Sequence, residues 1–184
     1  MKKYILGFLT IVLSASLFAQ KSGTFADTRD GKTYKTVVIG TQTWFSENLN
    51  YADKSSWHYK NDSVTGKKYG RLYNYESAKS SCPSGWHLPN RMEWDTLINN
   101  TGGPDEAGIN LSQWRPAIGF KALYGGRRHS SGEYFYLDQF GFFWTSSESD
   151  KYNAFAATIN PGAKTIKINS YDRWAGYSVR CIKN

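Results

Sequence analysis

Residues 82–98 read CPSGWHLPNRMEWDTLI and decide how the middle of the chain folds. Asn90 is a residue type that caps the first turn of helices, and Glu93 follows three positions later, as in a capping box. The apolar residues after it recur at helical spacing and predict one buried face. These residues are Trp94, Leu97 and Ile98. The segment therefore predicts a helix that begins at Asn90.

A second, shorter helix is predicted just before this segment. Residues 74–81 show helical spacing, and Pro83 then breaks the pattern, so Cys82 would stand at the end of the helix. The GGP sequence at residues 102–104 is expected to close the longer helix. Residues 51–68 are polar and aromatic without a clear period, and we expect a loop there.

Both ends of the chain show the period-two pattern of β-strands. Residues 33–39 (TYKTVVI) alternate and are rich in β-branched side chains, and turn residues flank them on both sides. From residue 133 onward, alternation returns in five short runs, at residues 134–136, 142–145, 155–159, 165–168 and 177–181. Helices between strand-rich ends indicate an α+β fold in which the two termini share a sheet.

Residues 1–19 have the order of a secretory signal peptide. Lysines precede an apolar run, and small residues lead to Ala19. The run is shorter than the roughly 20 apolar residues that cross a bilayer, so we expect no membrane span. The prediction is cleavage after Ala19, export to the periplasm, cell surface or medium, and one domain over residues 24–184. No cysteine stands at the cut, so the usual bacterial lipid anchor is not expected.

The composition combines many aromatic rings with a positive charge. Aromatic residues make up 16% of the chain, which predicts a core built largely from rings. The net charge is +8, but the Lys and Arg residues are scattered, so a nucleic-acid partner is not expected. A weak attraction to acidic glycans or anionic surfaces is one consequence of this charge, and a solvated basic surface is the alternative.

Four segments carry a resemblance to a known family. They are residues 30–44 (DGKTYKTVVIGTQTW), 69–75 (YGRLYNY), 82–94 and 177–181 (YSVRC). In this order they look like the major paralogous domain family first described in Fibrobacter succinogenes, and the resemblance covers about residues 24–184. That family is itself similar to C-type-lectin-like and formylglycine-generating-enzyme folds. The resemblance implies a compact, twisted antiparallel sheet with flanking helices and long loops, in an exported bacterial protein without an established common activity.

Cys82 and Cys181 are the two cysteines of the chain, and in an exported protein they predict a disulfide. The alternative is a reactive thiol, which needs an activating partner that the sequence cannot place. Formylglycine-generating enzymes depend on a reactive cysteine pair, so a structural bridge here would leave none for that chemistry. We therefore expect no enzyme activity and no cofactor.

The remaining polar residues show no metal-binding pattern. His58, His87 and His129 lack the spacing of zinc ligands, and we expect a hydrogen-bonding role for His87. Some oxygen-bearing side chains near the C-terminal strands could bind Ca²⁺, but without the signatures of calcium-dependent sugar binding we interpret them as solvated loop residues. They are Glu148, Asp150, Asn153, Asn169 and Asp172.

Aromatic rings within polar segments are the best indication of a binding site. A flat ring beside hydrogen-bonding groups can stack on the face of a sugar and orient its hydroxyls. Ordinary packing of a loop onto an aromatic core is the alternative. The predicted glycan site combines Trp57 and Tyr59 with Tyr171, Asp172, Arg173 and Trp174.

These observations favour a secreted, non-catalytic module that binds a glycan or a protein at the bacterial cell surface. Its partner would be a polysaccharide or a cell-envelope protein. Two other classes stay open: an enzyme related to sulfatase-modifying proteins, and a structural surface or assembly protein that associates with itself or with envelope partners. Free thiols would favour the enzyme, and a complete disulfide would weaken it.

Overall fold

A computed structural model describes residues 21–184, so the predicted signal peptide at residues 1–19 lies outside the described residues. The chain has an α+β fold. Its strands are β1 Ser22–Ala26, β2 Thr33–Ile39, β3 Gln42–Phe45, β4 Ser56–Trp57, β5 Leu72–Tyr73, β6 Trp86–His87, β7 Gly125–Arg128, β8 Tyr134–Leu137, β9 Gly141–Glu148, β10 Asn153–Ile159, β11 Lys167–Asp172 and β12 Ile182–Lys183. Its α-helices are α1 Ser63–Tyr69, α2 Tyr75–Ser81, α3 Arg91–Asn99 and α4 Ala107–Asn110, and short 3-10 helices cover Tyr59–Asn61 and Pro116–Ile118.

The strands form two five-stranded sheets and one two-stranded sheet. The first sheet has the order β1-β2-β3-β12-β6, so strands from both ends of the described chain share it, as the sequence predicts. The second sheet has the order β11-β10-β9-β7-β8, and β4 pairs with β5. The expectation of one antiparallel sheet is therefore wrong in two respects, since there are two large sheets and β7 runs parallel to β9.

The two predicted helices are present, and the cap predicted for the longer one is confirmed. The side chain of Asn90 accepts from the backbone N–H of Glu93, whose carboxylate accepts from the N–H of Asn90, so α3 starts with a complete capping box. Asn74 caps α2 in the same way through the N–H of Ser77. Within residues 21–184, no helix has both the length and the apolar character that a membrane crossing requires.

The prediction of a loop over residues 51–68 is wrong. The structure has β4, a 3-10 helix and α1 in this region. Asp62 caps α1, because its carboxylate accepts from the backbone N–H groups of Val64 at 3.0 Å and Thr65 at 2.9 Å. Helical periodicity is weak because only Gly66 and Tyr69 of this helix are buried.

The last predicted strands also differ from the structure. The strand predicted at residues 165–168 starts later and runs as Lys167–Asp172. Residues 177–181 form no continuous strand, because successive residues bond to different neighbours: Tyr177 bridges to Tyr73 and Ser178 to Phe143. The alternation in the sequence reflects a segment that runs between the two sheets and reaches β12 only at Ile182.

The core consists of two clusters of rings, and β9 contributes to both. Phe142 and Trp144 point to one side, in a cluster we call the Trp144 core, with Tyr73, Tyr75 and Tyr177. Phe143 points to the other side, in a cluster we call the Trp94 core, with Trp44, Trp94 and Phe120. Because side chains alternate along a strand, β9 is covered on both faces. The high aromatic content is thus used to bury two faces of one sheet.

Arg180 is fully buried and ties distant segments together. Its guanidinium donates to Oδ1 of Asn48 at 2.7 Å and to the carbonyl oxygens of Phe45, Phe120 and Lys121. Burial lowers the pKa of Arg180 to about 9. The four acceptors offset the cost of taking the guanidinium out of water, so Arg180 holds residues 120–121 against the end of β3.

Candidate functional site

Cys82 and Cys181 form a disulfide with a Cα–Cα distance of 5.8 Å. No free cysteine occurs in the described chain. Cys82 stands at the C-terminal end of α2 and Cys181 directly before β12, so the bridge joins a helix to the first sheet. Cys181 is fully buried in the Trp144 core. The pair therefore has a structural place in the fold.

A cavity of about 330 Å³ lies on one face of the second sheet, and we call it the aromatic groove. Every strand of that sheet contributes to it, together with the turn before β9. Its lining residues are Arg127, Tyr136, Phe140, Phe142, Thr158, Lys167, Asn169 and Tyr171. The groove combines a ring-lined floor with charged and polar side chains, which is the usual composition of a site for a small polar ligand.

The edge strand β11 supplies one wall of the groove. Lys167, Asn169 and Tyr171 alternate along the strand and so lie on the same face of the sheet. Thr158 of β10 is the register partner of Lys167, and Phe142 of β9 is the register partner of Thr158. Lys167, Thr158 and Phe142 thus form a row across three neighbouring strands of the floor, with a cation at one end and a buried ring at the other.

Tyr171 is held in place by other rings. It meets Phe142 edge-on at 6.1 Å between centroids and Tyr177 at 5.4 Å, and Tyr177 stacks on Phe142 at 5.1 Å. The hydroxyl of Tyr171 lies 3.0 Å from Oγ1 of Thr158. Burial raises the pKa of Tyr177, and the nearby Arg127 opposes that effect. This part of the groove is therefore rigid and presents a fixed ring.

Arg127 of β7 forms the opposite wall. The centre of its guanidinium lies 5.3 Å from the ring of Tyr136, 5.8 Å from Phe142 and 5.9 Å from Phe135. These distances are those of cation–π contacts. Its Nε is buried and has no hydrogen-bond partner in the part of the chain that the structure describes. A buried donor without a partner is costly and uncommon in folded proteins, so packing within the fold does not by itself account for the position of Arg127.

Tyr136 has a strained backbone at the rim of the groove. Its φ is 66°, a left-handed conformation that bulky residues rarely adopt, and its side chain is 40% exposed. The facing strand approaches closely, since a Cβ added at Gly126 would lie 2.4 Å from the carbonyl oxygen of Phe135. Strain of this kind persists where surrounding structure enforces it, and it concentrates at functional sites. Here it presents a ring beside Arg127.

A larger cavity of about 690 Å³ lies between β1, β2 and the segment around Ala117. Its lining includes the oppositely charged Lys35, Glu47 and Lys121 and contains no aromatic ring among the residues described. Glu47 already accepts from the backbone N–H of Lys35 at 2.9 Å. We therefore place the candidate site at the aromatic groove, where rings and open hydrogen-bonding groups occur together.

The first predicted ring cluster is part of regular structure. Trp57 belongs to β4 and lies under the guanidinium of Arg128, 4.1 Å from its centre. Tyr59 starts a 3-10 helix, is only 8% exposed and packs against Tyr134 at 5.2 Å. Neither ring lines the aromatic groove. Both have the packing contacts of the alternative interpretation.

The second predicted cluster divides among three environments. Tyr171 and Asp172 end β11 and do not form a loop, and Tyr171 lines the groove. The guanidinium of Arg173 lies 4.7 Å from the ring of Tyr75 and pairs with glutamates. Trp174 is 64% exposed, and its backbone N–H donates to Asp172 at 2.8 Å. Of the six predicted residues, Tyr171 belongs to the groove.

The histidine and acidic residues have protein partners. His87 lies 2.8 Å from the carboxylate of Glu93 and 2.7 Å from Oδ1 of Asn184, so it links the α3 cap to the C-terminus. Asp150 accepts from the backbone N–H of Tyr152 at 2.7 Å. Among residues 21–184, no group of three or more His, Cys, Asp and Glu side chains is placed to hold a metal ion.

Sequence reasoning missed most of the groove. Arg127, Tyr136 and Phe140 belong to β7, β8 and the turn after β8, and only Tyr136 lies in a run predicted to be a strand. The one available signal was the alternation of Lys167, Asn169 and Tyr171, which places a cation, an amide and a ring on one strand face. That signal was obscured because the strand was expected to end at residue 168.

Comparison with known families gives a match over most of the chain. The family model described as the Fibrobacter succinogenes major domain matches residues 37–183, which is most of the chain. No curated protein matches, and neither does any solved structure.

Proposed function

The chain belongs to the Fibrobacter succinogenes major domain family, and from this premise we propose that it is an exported, non-catalytic module that binds carbohydrate at the bacterial cell surface. The observation that carries the proposal is the aromatic groove. There, the partly exposed ring of Tyr136 shares one cavity of about 330 Å³ with further rings and with charged and polar side chains. That volume is at the lower end of the range of about 300–1,000 Å³ typical of ligand pockets.

Sugars match this combination of groups. A pyranose has an apolar face of C–H groups and an edge of hydroxyls, so it needs a ring to stack on and hydrogen-bonding groups beside the ring. Tyr136 and Phe140 offer the ring surfaces at one side, 5.4 Å apart between centroids. Asn169 and Thr158 offer hydrogen-bonding groups on the neighbouring strands. A purely apolar partner would take these polar groups out of water without replacing their contacts with water, at a cost in affinity.

Export and the absence of catalysis are supported by the cysteines. Disulfides persist in oxidising compartments, and Cys82 and Cys181 are joined. A relative of the formylglycine-generating enzymes would need reactive thiols, whereas both sulfur atoms here are in the bridge. The proposal includes a distant similarity to the C-type-lectin-like fold, which is consistent with an α+β chain whose first and last strands share a sheet.

The proposal is tested by measuring binding of the purified protein to an array of bacterial and plant cell-wall polysaccharides. Tyr136→Gly should weaken binding to any retained glycan by about 5- to 150-fold, which corresponds to about 1–3 kcal/mol, by analogy with the stacking of bases on aromatic rings. The matched control is Tyr152→Ala, which removes a 63% exposed tyrosine outside the groove.

The two variants distinguish binding at a specific site from non-specific binding to exposed aromatic rings. Binding lost in Tyr136→Gly and kept in Tyr152→Ala supports the groove. Equal losses in both variants, or the absence of binding to every polysaccharide on the array, would contradict a carbohydrate-binding role. Self-association of the native protein without any glycan binding would favour the surface-assembly function.

A further inference from the structure

The charges of the aromatic groove are of one sign. Arg127 and Lys167 line it, and no aspartate or glutamate is among its lining residues in the described chain. Neither cation takes part in any ion pair formed within residues 21–184. The groove therefore has uncompensated positive charge on two walls.

The nearest acidic residues in sequence have other partners. Asp138 accepts a hydrogen bond from the hydroxyl of Tyr69 and lies 3.8 Å from Nζ of Lys68. Asp172 accepts from the backbone N–H of Trp174. Since these carboxylates are engaged elsewhere, an anion from outside the protein is the natural partner of the groove cations.

Arg127 is arranged to recognise a planar anion. A guanidinium can bind a carboxylate through two parallel N–H groups, and one such pair uses Nε together with a terminal nitrogen. Nε of Arg127 is a buried donor without a partner, so an anion in the groove would meet the pair formed by the two terminal nitrogens of this groove-lining side chain. The rings of Phe135, Tyr136 and Phe142 lie 5.3 to 5.9 Å from the centre of the guanidinium and hold it in place by cation–π contacts.

Lys167 stands on the other side of the floor. Its register partner is Thr158, whose own partner is Phe142, so two strand spacings separate Lys167 from the strand of Phe142. β7, which carries Arg127, is the next strand after β9, so three strand spacings, about 14 Å, separate the backbones of the two walls. A single sugar ring can therefore lie between the two walls, with its ring face on the aromatic floor and a charged substituent toward a cation.

We propose that the aromatic groove selects glycans that carry carboxylate groups, such as polymers of uronic acids. This inference rests on the proposed carbohydrate-binding function and names its ligand class. A uronate joins a flat apolar ring face to a planar carboxylate, which matches the rings beside Arg127. An acidic peptide would supply the carboxylate, but it lacks the row of hydroxyls that Thr158 and Asn169 can bind.

The test compares acidic polysaccharides with their own neutral forms. Polygalacturonate, alginate and hyaluronan are each titrated against the native protein, beside the same polymer after chemical reduction of its carboxylates to alcohols. At least one polymer should bind about tenfold or more tightly than its reduced form, as a charge-assisted hydrogen bond predicts. Raising the salt concentration should reduce this preference, because the site is open to solvent.

Three variants assign the preference to the groove. Arg127→Gln should reduce binding of the acidic polymer by about tenfold or more, and Lys167→Gln by about twofold to fivefold, while binding of the reduced polymer changes little. Lys151→Gln, which removes an exposed cation outside the groove, should change neither. Lys167 is exposed, so its variant keeps the test valid even if Arg127→Gln folds poorly.

The failures of the two proposals differ. Equal binding of the acidic and the reduced polymers would overturn the selection for carboxylates and leave the carbohydrate-binding function standing. The absence of binding to both forms of all three polymers would overturn the inference, and it would overturn the function as well if the wider array is also negative. If polyglutamate binds as tightly as the best polysaccharide, negative charge alone is sufficient for binding, and the glycan inference is overturned.

Discussion

The Trp94 core and the aromatic groove use the same residue types in opposite ways. Trp94 is fully buried and meets Trp44, Phe120 and Phe143 at centroid distances of 5.4 to 5.9 Å. Tyr136 is 40% exposed, and one of its close contacts is a guanidinium. Rings in the core are covered by other rings and stabilise the fold, whereas the ring of Tyr136 stays partly exposed. Exposure and neighbouring charge, and not residue type, separate the two roles.

The largest effect on the core side is expected from the disulfide. Cys82 and Cys181 close a loop with a sequence separation of 99. In the chain-entropy model, reduction should lower the free energy of unfolding by about 4–5 kcal/mol, because the unfolded chain gains freedom. Urea unfolding with and without reductant measures this change. Alkylation of the native, unreduced protein, detected by intact mass, would contradict the bridge.

Trp94 tests the core more locally. Trp94→Ala should cost about 3–5 kcal/mol, since it leaves a cavity among three aromatic neighbours. The indole N–H of Trp94 is buried without a hydrogen-bond partner in the described chain, so Trp94→Phe should cost clearly less. Thermal or urea unfolding of both variants provides the measurement. An alanine variant as stable as the parent would show that the ring does not support the core.

Tyr136 is expected to behave in the opposite way to Trp94. Its removal should change ligand binding much more than the free energy of unfolding. Tyr136→Gly removes a ring but also relieves a left-handed backbone, so the free energy of unfolding should stay within about 1 kcal/mol of the parent or rise. Binding of a groove ligand should fall sharply. Tyr136→Phe, which keeps the ring, is the matched control. A glycine variant that loses several kcal/mol of stability would place Tyr136 with the core rings.

His58, which is neither in the Trp94 core nor in the aromatic groove, should have a smaller effect on stability, and this effect should depend on pH. Burial and the charge of Arg71, 3.0 Å away, lower the pKa of His58 below its ordinary 6.5. The unfolded chain therefore binds a proton more readily than the folded chain, and this contribution to stability is present above pH 6.5 and lost as the pH falls through the folded pKa. The melting temperature, measured at several pH values between 5 and 8, should fall less steeply toward acid pH for His58→Gln than for the parent. Parallel curves would refute this assignment.

Trp174 should give the smallest effect. Its ring is 64% exposed and outside the groove, so Trp174→Ala should change the free energy of unfolding by less than about 0.5 kcal/mol. If the groove is the binding site, glycan affinity should also remain within about twofold, below what loss of a stacked ring causes. Loss of affinity at unchanged stability would instead support the site predicted from the sequence around residues 171–174.

Local features of the fold could be predicted from the sequence. The capping box of Asn90 and Glu93 and the buried face of α3 depend on residues within one or two turns. The β-branched alternation of Thr33–Ile39 predicts β2 for the same reason. The helix at Ser63–Tyr69 could not be found in this way, because it has no repeated apolar face: only Gly66 and Tyr69 are buried.

The sequence by itself determined the α+β class, two helices and the cap of the longer one, the pairing of its two cysteines and the abundance of core rings, because each follows from local spacing or from composition. Only the tertiary structure decided which rings stay open. Arg127 and Lys167 are 40 positions apart in the sequence. They line one groove because the second sheet runs in the order β11-β10-β9-β7-β8. Strand order results from non-local packing and pairing, so no window of the sequence contains it.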